Sequence, residues 1–247
     1  MKIFNTLKDF GWNEFFEAHF SGYAGDGIEP ARVAVEHRNY YELYSASGEL
    51  TAEKSGKLFY SAESTSLLPA VGDWVVIKPI ANESKASIME VLPRKTKFSR
   101  KKAGETTDEQ IVAANVDTVF IISSLNQDLN YRRIERYLAL SWDNDVKPVV
   151  ILSKADLSED KFGKLAAAQN ALPATDIHIL SAKTGAGMEE LFQYFEGNKT
   201  VAVIGSSGVG KSTLINSLLD RDIMDVSEIG LYKDKGRHTT THRELTI

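Results

Sequence analysis

The sequence contains no cysteine. This removes disulfides, thiolate metal ligands and cysteine nucleophiles, and it fits a reducing compartment. Long apolar runs are missing as well. None approaches the roughly 20 residues of a membrane-spanning helix. The start, Met1-Lys2-Ile3-Phe4-Asn5, lacks the apolar core of a signal peptide. A cytoplasmic protein with no membrane contact is expected. Basic charge is in deficit: 29 Lys and Arg stand against 34 Asp and Glu, for a net charge of −5. That argues against a protein coated all over in nucleic acid and leaves room for a local basic patch. There is no internal repeat and no low-complexity tract. What remains is 247 residues at 43% hydrophobic content, enough for one large domain or two ordinary ones with real cores.

One stretch organises the chain. Gly205-Ser206-Ser207-Gly208-Val209-Gly210-Lys211-Ser212 fits G-x-x-x-x-G-K-[ST], the phosphate-cradling P-loop. Thr200 to Ile204 before it reads as a buried parallel strand, and Ser212 to Leu219 after it as an amphipathic helix. Glycines let successive N–H groups turn toward phosphate oxygens, and the helix N-terminus adds partial positive charge. Lys211 is placed to reach the β- and γ-phosphates, and the Ser212 hydroxyl to hold Mg²⁺. The residues from Gly205 to Ser212, with Thr213, are the candidate phosphate site.

The rest of the chain divides by texture. Residues 1–30 form an arm whose Leu7, Phe10, Trp12, Phe15, Phe16 and Phe20 follow a helical pattern. Packing on a neighbouring domain is the expected role. From 31 to 93 come five short strand patterns: Arg32–His37, Tyr40–Tyr44, Glu49–Glu53, Trp74–Ile77 and Ala86–Leu92. Their number and spacing predict a small barrel, an OB-fold. Its aromatics Tyr40, Tyr41, Tyr44, Phe59, Tyr60 and Trp74 are candidates for base stacking, though core or rim packing explains most of them. A linker over 94–115 carries Arg94, Lys95, Lys97, Arg100, Lys101 and Lys102. Such a run is either a solvated loop or a contact to RNA backbone, and the residues alone leave both open.

From 116 to 247 strands alternate with helices, as in a parallel sheet covered on both faces. Val116–Ile122, Pro148–Leu152 and Ile177–Leu180 are strands. Asn130 caps a helix with Ile134, Tyr137, Leu138 and Ser141 inward, and Glu189–Phe195 is a short helix. Two strand-end loops carry chemistry. Ser153-Lys154-Ala155-Asp156 offers a carboxylate that accepts from guanine N1–H and the 2-amino group, a donor pair adenine lacks. The Lys154 stem can cover the purine face. Ser181-Ala182-Lys183 offers backbone N–H groups to guanine O6, and Lys183 covers the other face.

Both base-reading loops precede the P-loop, the reverse of the usual GTPase order. This circular permutation follows a small barrel and precedes Gly236-Arg237-His238-Thr239-Thr240-Thr241. In that combination the chain resembles the ribosome-small-subunit-dependent GTPases called RsgA, YjeQ or EngC, and the resemblance covers nearly all of it. It implies an α/β P-loop GTPase domain behind an OB-fold and a ribosome-stimulated GTPase using GTP, GDP and Mg²⁺. It also implies action on the 30S subunit late in maturation, with barrel and linker on 16S rRNA. A monomer is expected. By similarity 236–241 is the first switch, with Thr240 joining Ser212 on Mg²⁺ and His238 a candidate to position the attacking water. Three departures stand out. The base-reading loop begins with Ser153 where the family has Asn or Thr, which predicts weaker guanine affinity. The family's Asp-x-x-Gly loop lies beyond Ile247, so the last residues should enter the strand after the first switch. The zinc ligands of the family's C-terminal domain are not in this sequence. A fragment of a longer protein is therefore expected. Two other readings stay open: a nucleotide- and rRNA-binding module with negligible turnover, and a P-loop ATPase or kinase.

Overall fold

The structure is a computed structural model, and it describes residues 6–23, 25, 27–56, 64–101, 109–126, 129–219 and 243–246. The chain forms two compact units. One comprises Met1–Val116 with Arg243–Ile247, the other Asp117–His242.

The first unit is built on a closed five-stranded barrel. Its strands are β1 (Glu29–Glu36), β2 (Tyr41–Ser45), β3 (Gly48–Lys54), β4 (Trp74–Pro79) and β5 (Lys85–Val91), in the order β1-β2-β3-β5-β4. All pairs are antiparallel except β3 with β5. Closure removes sheet edges, which an isolated small sheet must otherwise protect. Alternate residues fill the interior: Ala31 and Val33, Tyr41 and Leu43, Leu50 and Ala52, Val75 and Ile77, Ala86 and Ile88. The first four residues of β4, Trp74–Ile77, are an unbroken apolar run because both faces are covered there. Its outward residues Trp74 and Val76 pack with Leu92 under Phe10, Trp12 and Phe16 of the N-terminal arm. The arm consists of a 3₁₀ turn at Leu7–Phe10 and helix α1 (Glu14–Phe20), which Asn13 caps through Phe15 N–H at 3.1 Å. Trp12 meets Trp74 edge-on at 4.7 Å.

The basic run is not a loop throughout: Arg94 and Lys95 precede a strand that holds Lys97, Arg100 and Lys101. β6 (Lys97–Lys101) pairs antiparallel with β7 (Glu109–Ala114). Gly72, at φ 89°, lets the backbone turn against this ladder, where a Cβ would meet the Ala114 carbonyl oxygen at 2.3 Å. Residues 243–246, expected in the strand after the first switch, instead join this unit. Glu244 bridges Val35, and Leu245 N–H donates to the Ala34 carbonyl at 2.8 Å. The reason is local: β4 pairs β1 only from Glu29 to Arg32, so the backbone beyond still offers hydrogen-bonding groups.

The second unit is a parallel sheet in the order β10-β9-β8-β11. The strands are β8 (Thr118–Ser124), β9 (Lys147–Ser153), β10 (Asp176–Ile179) and β11 (Val201–Gly205). β8 is buried along its whole length, as a parallel strand covered on both faces must be. Helix α2 (Tyr131–Asp143) starts at the Asn130 cap and buries Ile134, Tyr137, Leu138 and Ser141. Helix α3 (Lys161–Ala171) is capped by Asp160, and α4 (Lys211–Leu219) follows the P-loop. The segment Glu189–Tyr194 is 3₁₀ rather than α. It is too short to gain from α-helical propagation, and Leu191 and Tyr194 anchor it on the core.

Candidate functional site

Three loops lie at the carboxyl ends of strands of this one sheet: 153–156 at β9, 181–183 beyond β10, and 206–210 after β11. Ligands of open parallel sheets bind at this edge. Gly205 opens the last loop at φ 155°, and a Cβ there would meet the Ile122 carbonyl oxygen at 2.5 Å. The strand therefore passes close to β8 before the chain turns into α4. Lys211 is buried, and its ammonium rests on the carbonyls of Gly205 at 2.9 Å and Ser206 at 2.6 Å. Ser212 is also buried, one residue into α4. The Ser206 hydroxyl is buried with no hydrogen-bond partner among the described residues. A glycine-shaped cradle, an ammonium seated on it and a helix N-terminus fit a polyphosphate. Among the described residues no cluster of His, Asp and Glu could hold a metal by itself. Ser212 remains a candidate side-chain ligand for Mg²⁺, an ion that keeps much of its shell as phosphate oxygens and water.

The first base-reading loop is tied to the P-loop by its own side chains. Ser153 donates to the Val209 carbonyl at 2.6 Å, and Lys154 to the Gly208 carbonyl at 2.6 Å. Ser153 thus spends its hydroxyl on the phosphate loop. With Lys154 it ties the 153–156 loop to the P-loop. Lys154 sits in the left-handed region at φ 58°, a cost that lysine bears when the surrounding structure fixes it. Asp156 is exposed at the loop's end and accepts from the Ser181 hydroxyl at 2.6 Å. That hydrogen bond, helped by the charges of Lys183 and Lys154, holds its carboxyl below the usual carboxylate range. Asp156 is therefore an ionised acceptor at neutral pH, with an oxygen already oriented by the second base-reading loop. Ser181 is itself buried. Ser181, expected to act through its backbone, also orients Asp156 through its hydroxyl.

The basic residues part company. Arg94 is committed to the interior. Its guanidinium grips both Asp73 oxygens, at 2.8 and 2.7 Å, and donates to the carbonyls of Ser66 at 2.6 Å and Leu68 at 3.0 Å. With those donors occupied, it is corrected from an RNA contact to a structural strut. Lys97 is exposed but paired with Glu109 at 2.6 Å, a contact that pulls the Glu109 carboxyl below its ordinary range. Lys95 is exposed. Arg100 and Lys101 stand on β6. Lys102, His238 and Thr240 lie outside the described residues, as do Phe59 and Tyr60.

Comparison with known proteins fits this geometry. A family model described as RsgA GTPase matches residues 91–247. A protein of Opitutus terrae named small ribosomal subunit biogenesis GTPase RsgA is 44% identical over 249 residues, covering 97% of this chain and 68% of its own length. One from Lactiplantibacillus plantarum, named small ribosomal subunit biogenesis GTPase RsgA 2, is 44% identical over 214 residues, 87% of this chain and 60% of its own. The chain thus spans roughly two thirds of the length of these relatives. Among solved structures, YjeQ from Thermotoga maritima superposes with a TM-score of 0.63 at 29% identity, over 77% of this chain and 65% of that one. YloQ, described as a circularly permuted GTPase, shares the fold with a TM-score of 0.59 at 21% identity, over 78% and 64%. On the motif order, the fold and these matches together, the chain belongs to the RsgA GTPase family.

Proposed function

We propose that the chain binds GTP and GDP with Mg²⁺, and that it hydrolyses GTP while acting in assembly of the small ribosomal subunit. The observation that carries this is the convergence of an ionised Asp156 and the 181–183 loop on a P-loop to which Ser153 and Lys154 are directly bonded. A phosphate site alone would serve ATP equally well. A fixed carboxylate beside it selects a base that donates twice, and guanine does. Mg²⁺, when bound, supplies charge neutralisation for the γ-phosphate. The chain's own part is to cradle the phosphates with loop amides, to counter their charge with Lys211 and to offer the Ser212 hydroxyl to the metal. Competition binding tests the reading: GDP and GTP displace a fluorescent guanine nucleotide, and ATP in large excess does not. Displacement by ATP at similar concentrations refutes it. Lys211→Ala removes one charge-assisted contact and lowers GTP affinity by about 1.5–3 kcal/mol. The barrel unit, which lacks that residue, keeps its unfolding midpoint.

The partner of the basic hairpin follows the relatives' names, which specify small-subunit biogenesis. We assign the exposed Lys95 and the basic residues 100–102 to RNA backbone. Neutralising Arg100, Lys101 and Lys102 together weakens 30S binding. It also flattens the salt dependence by roughly 0.7–0.9 log–log units for each phosphate that the altered chain no longer neutralises. A salt slope equal to that of the unaltered chain returns the run to a solvated surface.

A further inference from the structure

The second base-reading loop is held from a side that no nucleotide motif covers. Ser217, on the exposed face of α4, donates its hydroxyl to the Ala182 carbonyl at 3.0 Å. A trans peptide is planar, so the C=O of one residue and the N–H of the next point in opposite directions. Fixing the Ala182 carbonyl therefore fixes the Lys183 N–H on the far side of the same plane. The neighbouring amides are engaged within the loop. Ser181 N–H donates to Ala186 at 2.9 Å, Gly185 N–H to Ser181 at 2.9 Å, and Thr184 N–H to Ser181 at 3.3 Å. Among the described residues the Ala182 and Lys183 N–H groups donate to no group of the protein. The peptide that Ser217 orients is thus one whose donor is left for a ligand.

We infer that Ser217 is a positioning residue for base recognition: through the Ala182 carbonyl it aims the Lys183 N–H at the 6-oxo group of the purine. This rests on the guanine reading above. Its physical sense lies in α4. The first residues of that helix, Lys211 and Ser212, serve the phosphates, and Ser217 stands between one and two turns further along. One rigid rod then sets both the phosphate end and the base end of the site. Ser153 and Lys154 make the corresponding ties from the other base-reading loop.

The test compares two nucleotides on the full chain. GDP carries the 6-oxo group. The 5′-diphosphate of 2-aminopurine riboside keeps the 2-amino group, has hydrogen at position 6 and loses the N1–H with the oxo group. That second loss is the same in variant and unaltered chain, so it cancels when each nucleotide is compared between the two proteins. Alanine is a better helix former than serine, and the site is exposed, so Ser217→Ala leaves the fold intact. The expected result is a loss of GDP affinity of about three- to tenfold, the worth of one neutral hydrogen bond. Affinity for the 2-aminopurine nucleotide stays unchanged, and Ser217→Thr, which keeps the hydroxyl, restores GDP binding. Equal weakening of both nucleotides, or of neither, overturns the inference. An unaltered chain that binds no GDP overturns the guanine reading, and this inference with it.

Discussion

Asp156→Asn binds GDP and GTP roughly 10²–10³-fold more weakly than the unaltered chain, and it gains affinity for xanthosine nucleotides. The argument is one of donor and acceptor count. A carboxylate offers only acceptors, and guanine presents two donors, N1–H and the 2-amino group. An asparagine amide keeps one acceptor and turns the other into a donor, which then faces the 2-amino group head-on. Xanthine carries an oxygen at that position and meets the amide in register. The structure sharpens the expectation. Ser181 donates to Asp156 at 2.6 Å, and that hydroxyl is the leading cause of the lowered carboxyl pKa. Ser181→Ala therefore raises the Asp156 pKa toward the ordinary value, and as the medium is acidified guanine affinity begins to fall at a higher pH than in the unaltered chain. Titration calorimetry with GDP and xanthosine diphosphate checks the switch. Equal GDP affinity in both proteins removes Asp156 from base recognition.

Much of this site was legible in the sequence, because its parts are short motifs with fixed chemistry. Lys211, Ser212 and Asp156 follow from residue type and spacing. Not legible was what ties the parts together. Ser153 stood out only as a departure expected to weaken guanine affinity, and its hydroxyl goes to Val209. Ser217 carried no signal, since a serine on an exposed helix face has many bland explanations. Both links join residues far apart in the chain, and such pairings leave no local periodicity. The barrel shows the same division. Strands with alternating burial, such as β2 and β3, lie within a residue of where the pattern put them. β1 begins at Glu29, before the expected Arg32, because Pro30 masks a strand start that tolerates it. β6 was missed outright. Its charged residues outnumber its apolar ones, so no alternating apolar pattern marks it, although Phe98 and Ser99 are buried.

Arg94 carries the second large effect, and it concerns stability rather than binding. Asp73 is fully buried, and its partners are the Arg94 guanidinium and the Ala70 N–H at 2.8 Å. Burial pushes the Asp73 carboxyl above its ordinary range even with Arg94 opposing the shift. Removing the cation leaves an ionised carboxylate in the interior, so Arg94→Met destabilises the barrel unit by about 3–5 kcal/mol at neutral pH. The sign of the pH dependence follows. An acid whose folded pKa is raised favours folding when protonated, and that advantage disappears as the pH rises through the folded value. Without Arg94 the folded pKa climbs further. The deficit of the variant is then greatest at neutral and alkaline pH and shrinks as the medium is acidified and Asp73 takes up a proton. Adding Asp73→Asn removes the orphaned charge and recovers part of the loss at neutral pH, as expected when both members of a buried pair are replaced. Urea unfolding followed by tryptophan fluorescence measures this, since Trp12 and Trp74 lie in the barrel unit and Trp142 in the other. A deficit that stays constant from acid to neutral pH shows that Arg94 acts through packing. In that case its hydrogen bonds to the Ser66 and Leu68 carbonyls, rather than its charge, hold this face of the barrel.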